Sequence, residues 1–257
     1  MVDAQRPISS ATVRIVMALA DQIAEVLQDG LHAVILHGSV ATGDFLPGRS
    51  DIDLLTVVAP ALTRRRADAL ERLVLAADLD DAAGVDLHVI TAAVAAAPAR
   101  TPPVELHVGR YASGVEVTRH VAADADLPVE LSMARAAGRA LYGHPPQHVI
   151  GEVPAAWVRD RGRHWLTTWQ GLTDDDAHAA HMVLTACRIW RFAVEEEHCG
   201  KVDAAIWAAG RDPSLVAIGA ALHQYTTGQR EPIEPAAIGQ VLDRVLAETA
   251  STDRGGG

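Results

Sequence analysis

Two aspartates separated by one residue, Asp51 and Asp53, point most directly to chemistry in this sequence. They open a stretch from Asp51 to Val58 that becomes wholly apolar, as an interior β-strand does. Residues i and i+2 of a strand project to the same side, so both carboxylates face one way while Ile52 and Leu54 face the core. Two such charges repel each other unless a cation neutralises them. A hard divalent ion bound by one or two carboxylates plus substrate phosphates describes magnesium.

A glycine and a serine precede this pair. Gly38 and Ser39 end a short β-branched run, and eleven residues separate Ser39 from Asp51. Glycine lets the backbone approach a ligand closely, and Ser39 offers a hydroxyl and an amide to a phosphate. An Asp-x-Asp pair alone is more often a solvated pair on an edge strand, but the upstream Gly-Ser favours the metal site.

A third carboxylate, Asp86, comes from another predicted strand, where it alternates with the core residues Val85, Leu87 and Val89. Taken singly, it is equally well explained as an exposed strand residue. Three carboxylates from two strands can hold a metal and still leave one oxygen to accept a proton from an attacking hydroxyl. This arrangement is typical of nucleotidyl transfer.

The remaining pattern predicts the elements that position these residues. Apolar spacing predicts a helix from Ser10 to Gln28, and β-branched or alternating runs predict further strands at residues 32–36 and 104–108. After about residue 127 we expect helices only, near residues 128–141, 155–170, 177–197, 203–210, 214–226 and 235–249. The fold class is therefore α+β, with a mixed sheet flanked by helices followed by an all-helical bundle. We expect domains at residues 1–147 and 148–250, joined near residues 143–146, and a disordered tail at 251–257.

The composition of the chain limits the kinds of molecule that it can bind. The 257 residues carry 22 Lys+Arg against 33 Asp+Glu, a net charge of −11, which argues against nucleic acid and favours a cationic small molecule. No apolar stretch is long enough to span a bilayer, and the N-terminus does not resemble a signal peptide. Two cysteines, Cys187 and Cys199, make no disulfide framework. We therefore expect a monomeric cytoplasmic protein without a membrane partner.

Together these residues resemble a known family. Gly38-Ser39 with Asp51-Ile52-Asp53 is similar to the signature of the polymerase-β-type nucleotidyltransferase superfamily. The segments 36–39 and 50–55 more narrowly resemble the streptomycin/spectinomycin (aminoglycoside 3''- and 9-) adenylyltransferases. Matches continue in order at residues 103–106, 109–111, 184–185, 188–190 and 200–201, over nearly the whole chain.

The resemblance implies a two-domain enzyme that binds MgATP between its domains and transfers AMP to an antibiotic hydroxyl. It makes Asp51 and Asp53 metal ligands, and makes Asp86 a metal ligand and the catalytic base, which is a glutamate in the family. Five residues fall on or near nucleotide-contacting positions: Gly38, Ser39, Ser50, Lys201 and Tyr225. Independent support exists for one of them, since Lys201 is the only lysine among 22 basic residues. A compact ammonium meets phosphate oxygens as a point charge, as a planar guanidinium does not.

The substrate positions implied by the resemblance are Tyr111, Trp169, Asp174 and His178. Tyr111 stands where the family has a tryptophan, and His178 stands where it has an aspartate that engages the aminoglycoside. An imidazole there removes attraction for a cation unless a nearby carboxylate, such as Asp175, replaces it.

Alternatives remain open. One is a nucleotidyltransferase for a different small-molecule or protein acceptor, and another is a catalytically silent module that binds nucleotide or drug. Zinc binding by the histidines and cysteines of residues 178–199 is disfavoured, because no Cys-x-x-Cys or His-Glu-x-x-His frame accompanies them.

Overall fold

The structure is a computed structural model that describes residues 10–252, with side chains described for residues 10–250. The described chain divides into two compact units, residues 10–153 and 154–252. Each unit has hydrophobic clusters of its own. Helix α11 includes the first two residues of the predicted tail and ends at Thr252, and the rest of that tail lies outside the described residues.

The first unit is built on one six-stranded sheet of order β5-β4-β3-β2-β1-β6. Strands β2 and β3 pair in parallel, and all other neighbours pair antiparallel. The strands are β1 (Leu31–His37), β2 (Asp51–Val58), β3 (Gly84–Thr91), β4 (Val104–Tyr111), β5 (Gly114–Val121) and β6 (Arg139–Tyr142).

Helices cover both faces of this sheet. They are α1 (Ser10–Leu27), α2 (Gly38–Thr42), α3 (Arg64–Ala76), α4 (Ala92–Ala96), α5 (Leu127–Ala137) and α6 (Pro146–Val149). Leucines and valines of α1 and α3 pack on the face that carries Ile52, Leu54 and Leu87. Side chains of α4, α5 and α6 pack on the opposite face, against Leu55 and Ile90. The period-two alternation of β2 and β3 therefore sends successive residues into different cores.

The second unit contains helices and no strand among its described residues. It consists of α7 (Ala155–Trp169), α8 (Ala179–Glu195), α9 (Lys201–Arg211), α10 (Val216–Thr227) and α11 (Pro235–Thr252). The fully buried Trp190 lies in its core, among small residues such as Ala204 and Ala208 that allow the helices to approach closely. Within residues 10–252, no helix has the length and apolar character that a bilayer crossing requires.

The predicted fold class, a mixed sheet followed by an all-helical half, is confirmed. Three details of the prediction were wrong. Strand β5 was not predicted, and the helix expected over 128–141 ends at Ala137, where β6 begins after Gly138. The connection after β1 contains the short helix α2 rather than loop alone.

Candidate active site

The three predicted aspartates lie on one face of neighbouring strands. Asp53 of β2 and Asp86 of β3 are register partners in the parallel pair, so their backbones are about 4.8 Å apart, the usual spacing of paired strands. Asp51 lies two residues before Asp53 on the same face. All three side chains are half-buried, whereas the alternating Ile52, Leu54, Val85 and Leu87 are buried in the core.

Gly38 approaches Asp53 so closely that a side chain there has no room. His37 at the end of β1 is the register partner of Asp53, and Gly38 follows it with φ of +62°. A Cβ atom built on Gly38 would lie 1.8 Å from Asp53 Oδ2. The glycine therefore supplies both the left-handed backbone conformation and the space that Asp53 occupies.

Asp86 contacts side chains from two strands. Its Oδ1 lies 3.0 Å from His88 Nδ1 and 3.2 Å from His107 Nε2. Its Oδ2 accepts a short hydrogen bond from the phenol of Tyr111. His88 and His107 are register partners in the antiparallel β3–β4 pair, and their rings stack with centroids 4.4 Å apart. Both oxygens of Asp86 are thus in contact with other side chains.

Gly109 allows Tyr111 to reach Asp86. Gly109 is the register partner of Asp86, and Tyr111 lies two residues further along β4. A Cβ atom on Gly109 would lie 2.4 Å from the Tyr111 hydroxyl oxygen. The missing side chain opposite Asp86 is therefore replaced by the tyrosine ring, which leans across the gap.

These contacts control the ionisation of Asp86. Burial alone would raise the pKa of Asp86, but the contacts with His107 and His88 together outweigh burial and hold that pKa well below its usual value. Burial, followed by the charge of Asp86 and the hydrogen bond to it, raises the pKa of Tyr111. At neutral pH Asp86 is therefore an anion, and Tyr111 is a neutral hydrogen-bond donor.

The two predicted serines flank the loop between β1 and β2. Ser39 is the second residue of α2, and its carbonyl oxygen accepts hydrogen bonds from the backbone N–H groups of Gly43 and Asp44. Ser50 is buried, and its Oγ accepts a hydrogen bond from the backbone N–H of Leu46 at 3.0 Å. In this structure the Ser50 hydroxyl holds the loop that precedes Asp51.

In the helical unit, the two predicted nucleotide-contacting residues lie together. Lys201 is the first residue of α9, directly after Gly200, and Tyr225 belongs to α10. Lys201 Nζ lies 5.3 Å from the centroid of the Tyr225 ring, within the range of a cation–π contact.

The predicted substrate residues of this unit lie around the connection between α7 and α8. Trp169 is buried at the end of α7, where its ring stacks on Trp165 and meets His181 edge-on. Asp174 is exposed in the connection, and His178 is exposed at the start of α8. His178 Nδ1 lies 2.7 Å from Asp175 Oδ2, so a neighbouring carboxylate does accompany His178.

Sequence reasoning missed His88 and His107 as site residues. Among residues 10–250, the group of three that brings one ligand atom each within 4.8 Å of one another is Asp86, His88 and His107. The available signal was that His88 lies two residues after Asp86 on a predicted strand, and hence on the same face. The partner histidine was not predictable, because it depends on the register of β3 against β4.

The donor chemistry of Asp51 and Asp53 fits magnesium. Both offer hard carboxylate oxygens from one face of a strand and are half-buried, and Gly38 closely approaches Asp53. That these two residues and Asp86 bind a metal remains a prediction.

The fold and the paired aspartates define a nucleotidyltransferase, and comparison with known proteins agrees. A family model described as nucleotidyltransferase domain matches residues 20–101. A second, described as aminoglycoside adenylyltransferase, C-terminal domain, matches residues 148–246. The chain is therefore an enzyme of the nucleotidyltransferase class.

The family follows from curated relatives. Aminoglycoside (3'') (9) adenylyltransferases from Klebsiella pneumoniae and Escherichia coli are each 30% identical to this chain over 216 residues. The match covers 78% of this chain, with 82% of the Klebsiella protein and 81% of the Escherichia protein. The chain belongs to the aminoglycoside adenylyltransferase family.

A solved structure shares the fold. Spectinomycin adenyltransferase AAD(9) from Enterococcus faecialis, crystallised with ATP and spectinomycin, matches with a TM-score of 0.70 at 18% identity. The match covers 93% of this chain and 99% of that one.

Proposed function

We propose that this protein transfers AMP from ATP, with magnesium, to a hydroxyl of an aminoglycoside or aminocyclitol antibiotic, streptomycin or spectinomycin or both, and so confers resistance. The observation that carries the proposal is the alignment of Asp51, Asp53 and Asp86 on one face of β2 and β3, with Gly38 against Asp53. Membership of the family and the names of its relatives support the choice of substrate.

In the proposed reaction Asp86 has two roles, as a metal ligand beside Asp51 and Asp53 and as the catalytic base. Asp51 and Asp53 hold the magnesium ion, which when bound neutralises charge on the phosphates. The antibiotic hydroxyl forms a bond to the α-phosphorus of ATP, and the bond from that phosphorus to the pyrophosphate breaks. Asp86 accepts the hydroxyl proton. Since the contacts with His107 and His88 make Asp86 a weak base, the proton leaves late, as the attacking oxygen becomes bonded to phosphorus and more acidic.

Tyr111 has a role in the proposed reaction because its hydroxyl donates a hydrogen bond to Asp86 Oδ2. The acceptor hydroxyl would take the place of the phenol to give its proton to Asp86 Oδ2. We therefore assign Tyr111 to the acceptor site, together with Trp169, Asp174 and His178 of the helical unit. Lys201 and Tyr225, which lie against each other, are proposed to contact the nucleotide along with Ser39 and Ser50.

We propose a monomer that works in the cytoplasm, since both cysteines are free and both substrates are small molecules. A net charge of −11 favours a cationic acceptor over nucleic acid.

The test is pyrophosphate release by the purified protein with ATP and magnesium, with streptomycin and spectinomycin supplied separately. Mass spectrometry of the antibiotic should reveal an adduct of one AMP. Absence of turnover with both drugs would overturn the antibiotic assignment.

A second candidate is AMP transfer to a different acceptor, and the departures from the family pattern at His178 and Asp86 favour keeping it. An imidazole in the position of His178 attracts a cationic drug less than a carboxylate does. Labelled ATP with a panel of hydroxyl-bearing natural products and proteins distinguishes the two, because only the second candidate labels an acceptor outside the antibiotics. Tight nucleotide binding without any product would instead identify a silent binding module.

A further inference from the structure

Asp86, His88 and His107 bring two nitrogens and one oxygen to a common point. Asp86 and His88 share a face of β3, and the antiparallel register sets His107 of β4 directly opposite His88. The three ligand atoms lie within 4.8 Å of one another, with the Asp86 oxygen 3.0 and 3.2 Å from the two nitrogens. Since all three residues stand on paired strands, the arrangement belongs to the rigid part of the unit.

The hydrogen bonding of this group is incomplete. Asp86 Oδ1 and His107 Nε2 are buried, yet neither makes a hydrogen bond of acceptable geometry within the described structure. The two imidazole rings stack at an interplanar angle of 19°. Buried polar atoms normally have a partner, so two of them at one point indicate that a ligand belongs there.

The donor set selects the kind of ligand. Two imidazole nitrogens and one carboxylate oxygen suit zinc, cobalt, nickel or copper better than magnesium, which prefers oxygen alone. In tetrahedral zinc sites with bonds of about 2.0–2.1 Å, neighbouring ligand atoms are about 3.3 Å apart, close to the contacts around Asp86 Oδ1. A rotation about the soft Cβ–Cγ torsions of the two histidines turns both lone pairs toward one ion.

We propose that Asp86, His88 and His107 form a binding site for a divalent transition-metal ion, which shares Asp86 with the oxygen-donor site assigned to Asp51 and Asp53. Tyr111 holds the second oxygen of Asp86, so the protein supplies three ligands and leaves a fourth position for water. The test of this site does not depend on the proposed function, since it uses the metal-free protein and a metal ion alone.

The test is titration of the metal-free protein with Co²⁺ in the absence of ATP and antibiotic. Co²⁺ takes the place of Zn²⁺ in such sites, and its visible absorption reports nitrogen donors and a low coordination number. We expect one equivalent to produce this absorption and Zn²⁺ to displace it. His88→Asn and His107→Asn should each weaken Co²⁺ binding by at least about tenfold, because loss of even an outer partner of a metal site costs 10–100-fold.

Two variants serve as controls. His144→Asn changes an exposed histidine of the same unit and should leave the absorption unchanged. Asp51→Asn removes a ligand of the proposed magnesium site and should also leave it unchanged, which separates the two sites. Circular dichroism verifies that each variant is folded.

The proposal is overturned if Co²⁺ produces no such absorption, or if the signal survives both folded histidine variants. The histidines would then be hydrogen-bonding neighbours of Asp86 only. Either result leaves the pyrophosphate assay unaffected, so failure of this inference and failure of the proposed function are distinguishable.

Discussion

Gly38 and Gly48 have nearly the same backbone conformation but different surroundings. Their φ angles are +62° and +69°, both in the region that costs other residues roughly 1–2 kcal/mol. A Cβ atom at Gly38 would collide with Asp53, whereas at Gly48 nothing lies within 4 Å. We expect Gly38→Ala and Gly48→Ala to lose about 1 kcal/mol of unfolding free energy through backbone strain, with a larger loss for Gly38→Ala. Only Gly38→Ala should abolish AMP transfer.

Urea denaturation and steady-state kinetics measure the two effects separately. Gly48→Ala measures the loss of unfolding free energy that comes from backbone strain alone. Any further loss of stability or activity in Gly38→Ala therefore reports the displacement of Asp53. Equal activity of the two variants would contradict the assignment of Asp53 to the active site.

The carboxylate of Asp53 gives a second prediction. Asp53→Asn keeps the shape of the side chain but removes the charge that would hold a divalent ion. We expect kcat to fall by at least about 100-fold, the scale of losing one electrostatic contact to a transition state. Asp29→Asn, a change at an exposed aspartate of the same unit, is the matched control and should retain activity. Near-normal kcat in a folded Asp53→Asn protein would refute the metal role.

Residue types and spacing in the sequence predicted the aspartates of the candidate site but not the histidines around Asp86. The period-two rule brings Asp51 and Asp53 to one face from sequence alone. That Asp53 and Asp86 are register partners agrees with the expected convergence. The histidines around Asp86 escaped prediction because the register between β3 and β4 is set by tertiary packing rather than by local sequence.

At the scale of elements, the missed strands share one property. Strand β5 is exposed along most of its length, so it lacks the buried alternation by which strands are recognised. Strand β6 has four residues, and only Gly138 separates it from α5. The apolar spacing of the helix therefore continues into the strand in the sequence. Both lie at the edges of the sheet, where a strand pairs with only one neighbour. Such a strand can form without the buried apolar residues by which an interior strand is predicted.

The connection between α8 and α9 contains a histidine whose protonation opposes folding. The His198 ring lies 4.6 Å from the Phe192 ring, centroid to centroid. Burial, with the charge of Arg188, lowers the pKa of His198 to about 4. The unfolded chain, with a histidine pKa near 6.5, therefore takes up the proton more readily than the folded one. Stability from this group is complete above pH 6.5 and is lost as the pH falls from there toward 4.

We therefore expect His198→Asn to reduce the acid sensitivity of the helical unit. Between pH 7.5 and pH 5, one such group costs at most about 2 kcal/mol of unfolding free energy, and less because His198 is partly exposed. Urea denaturation at the two pH values measures the difference, with His164→Asn at an exposed site of α7 as the control. If wild type and His198→Asn lost the same stability on acidification, this origin of the acid sensitivity would be wrong.

At the scale of the whole molecule, net charge sets how the two proposed substrates arrive. A net charge of −11 attracts a cationic antibiotic and repels anionic ATP, so we expect nucleotide binding to need local positive charge, which the proposed contact of Lys201 would supply. The first unit supplies the three carboxylates and the second supplies the single lysine of the chain.

Salt should therefore act on the two substrates in opposite directions. As ionic strength rises from about 0.05 to about 0.3 M, the Debye length shortens to well below 10 Å and the long-range field is screened. We expect kcat/KM for the antibiotic to fall by about 2- to 10-fold, because steered association is strongly salt-dependent. We expect kcat/KM for ATP at saturating magnesium to stay level or rise, since the repulsion is screened as well. Repeating the series with sodium and potassium chloride excludes a specific ion effect. A parallel decline for both substrates would mean that local contacts, rather than the overall charge, govern their capture.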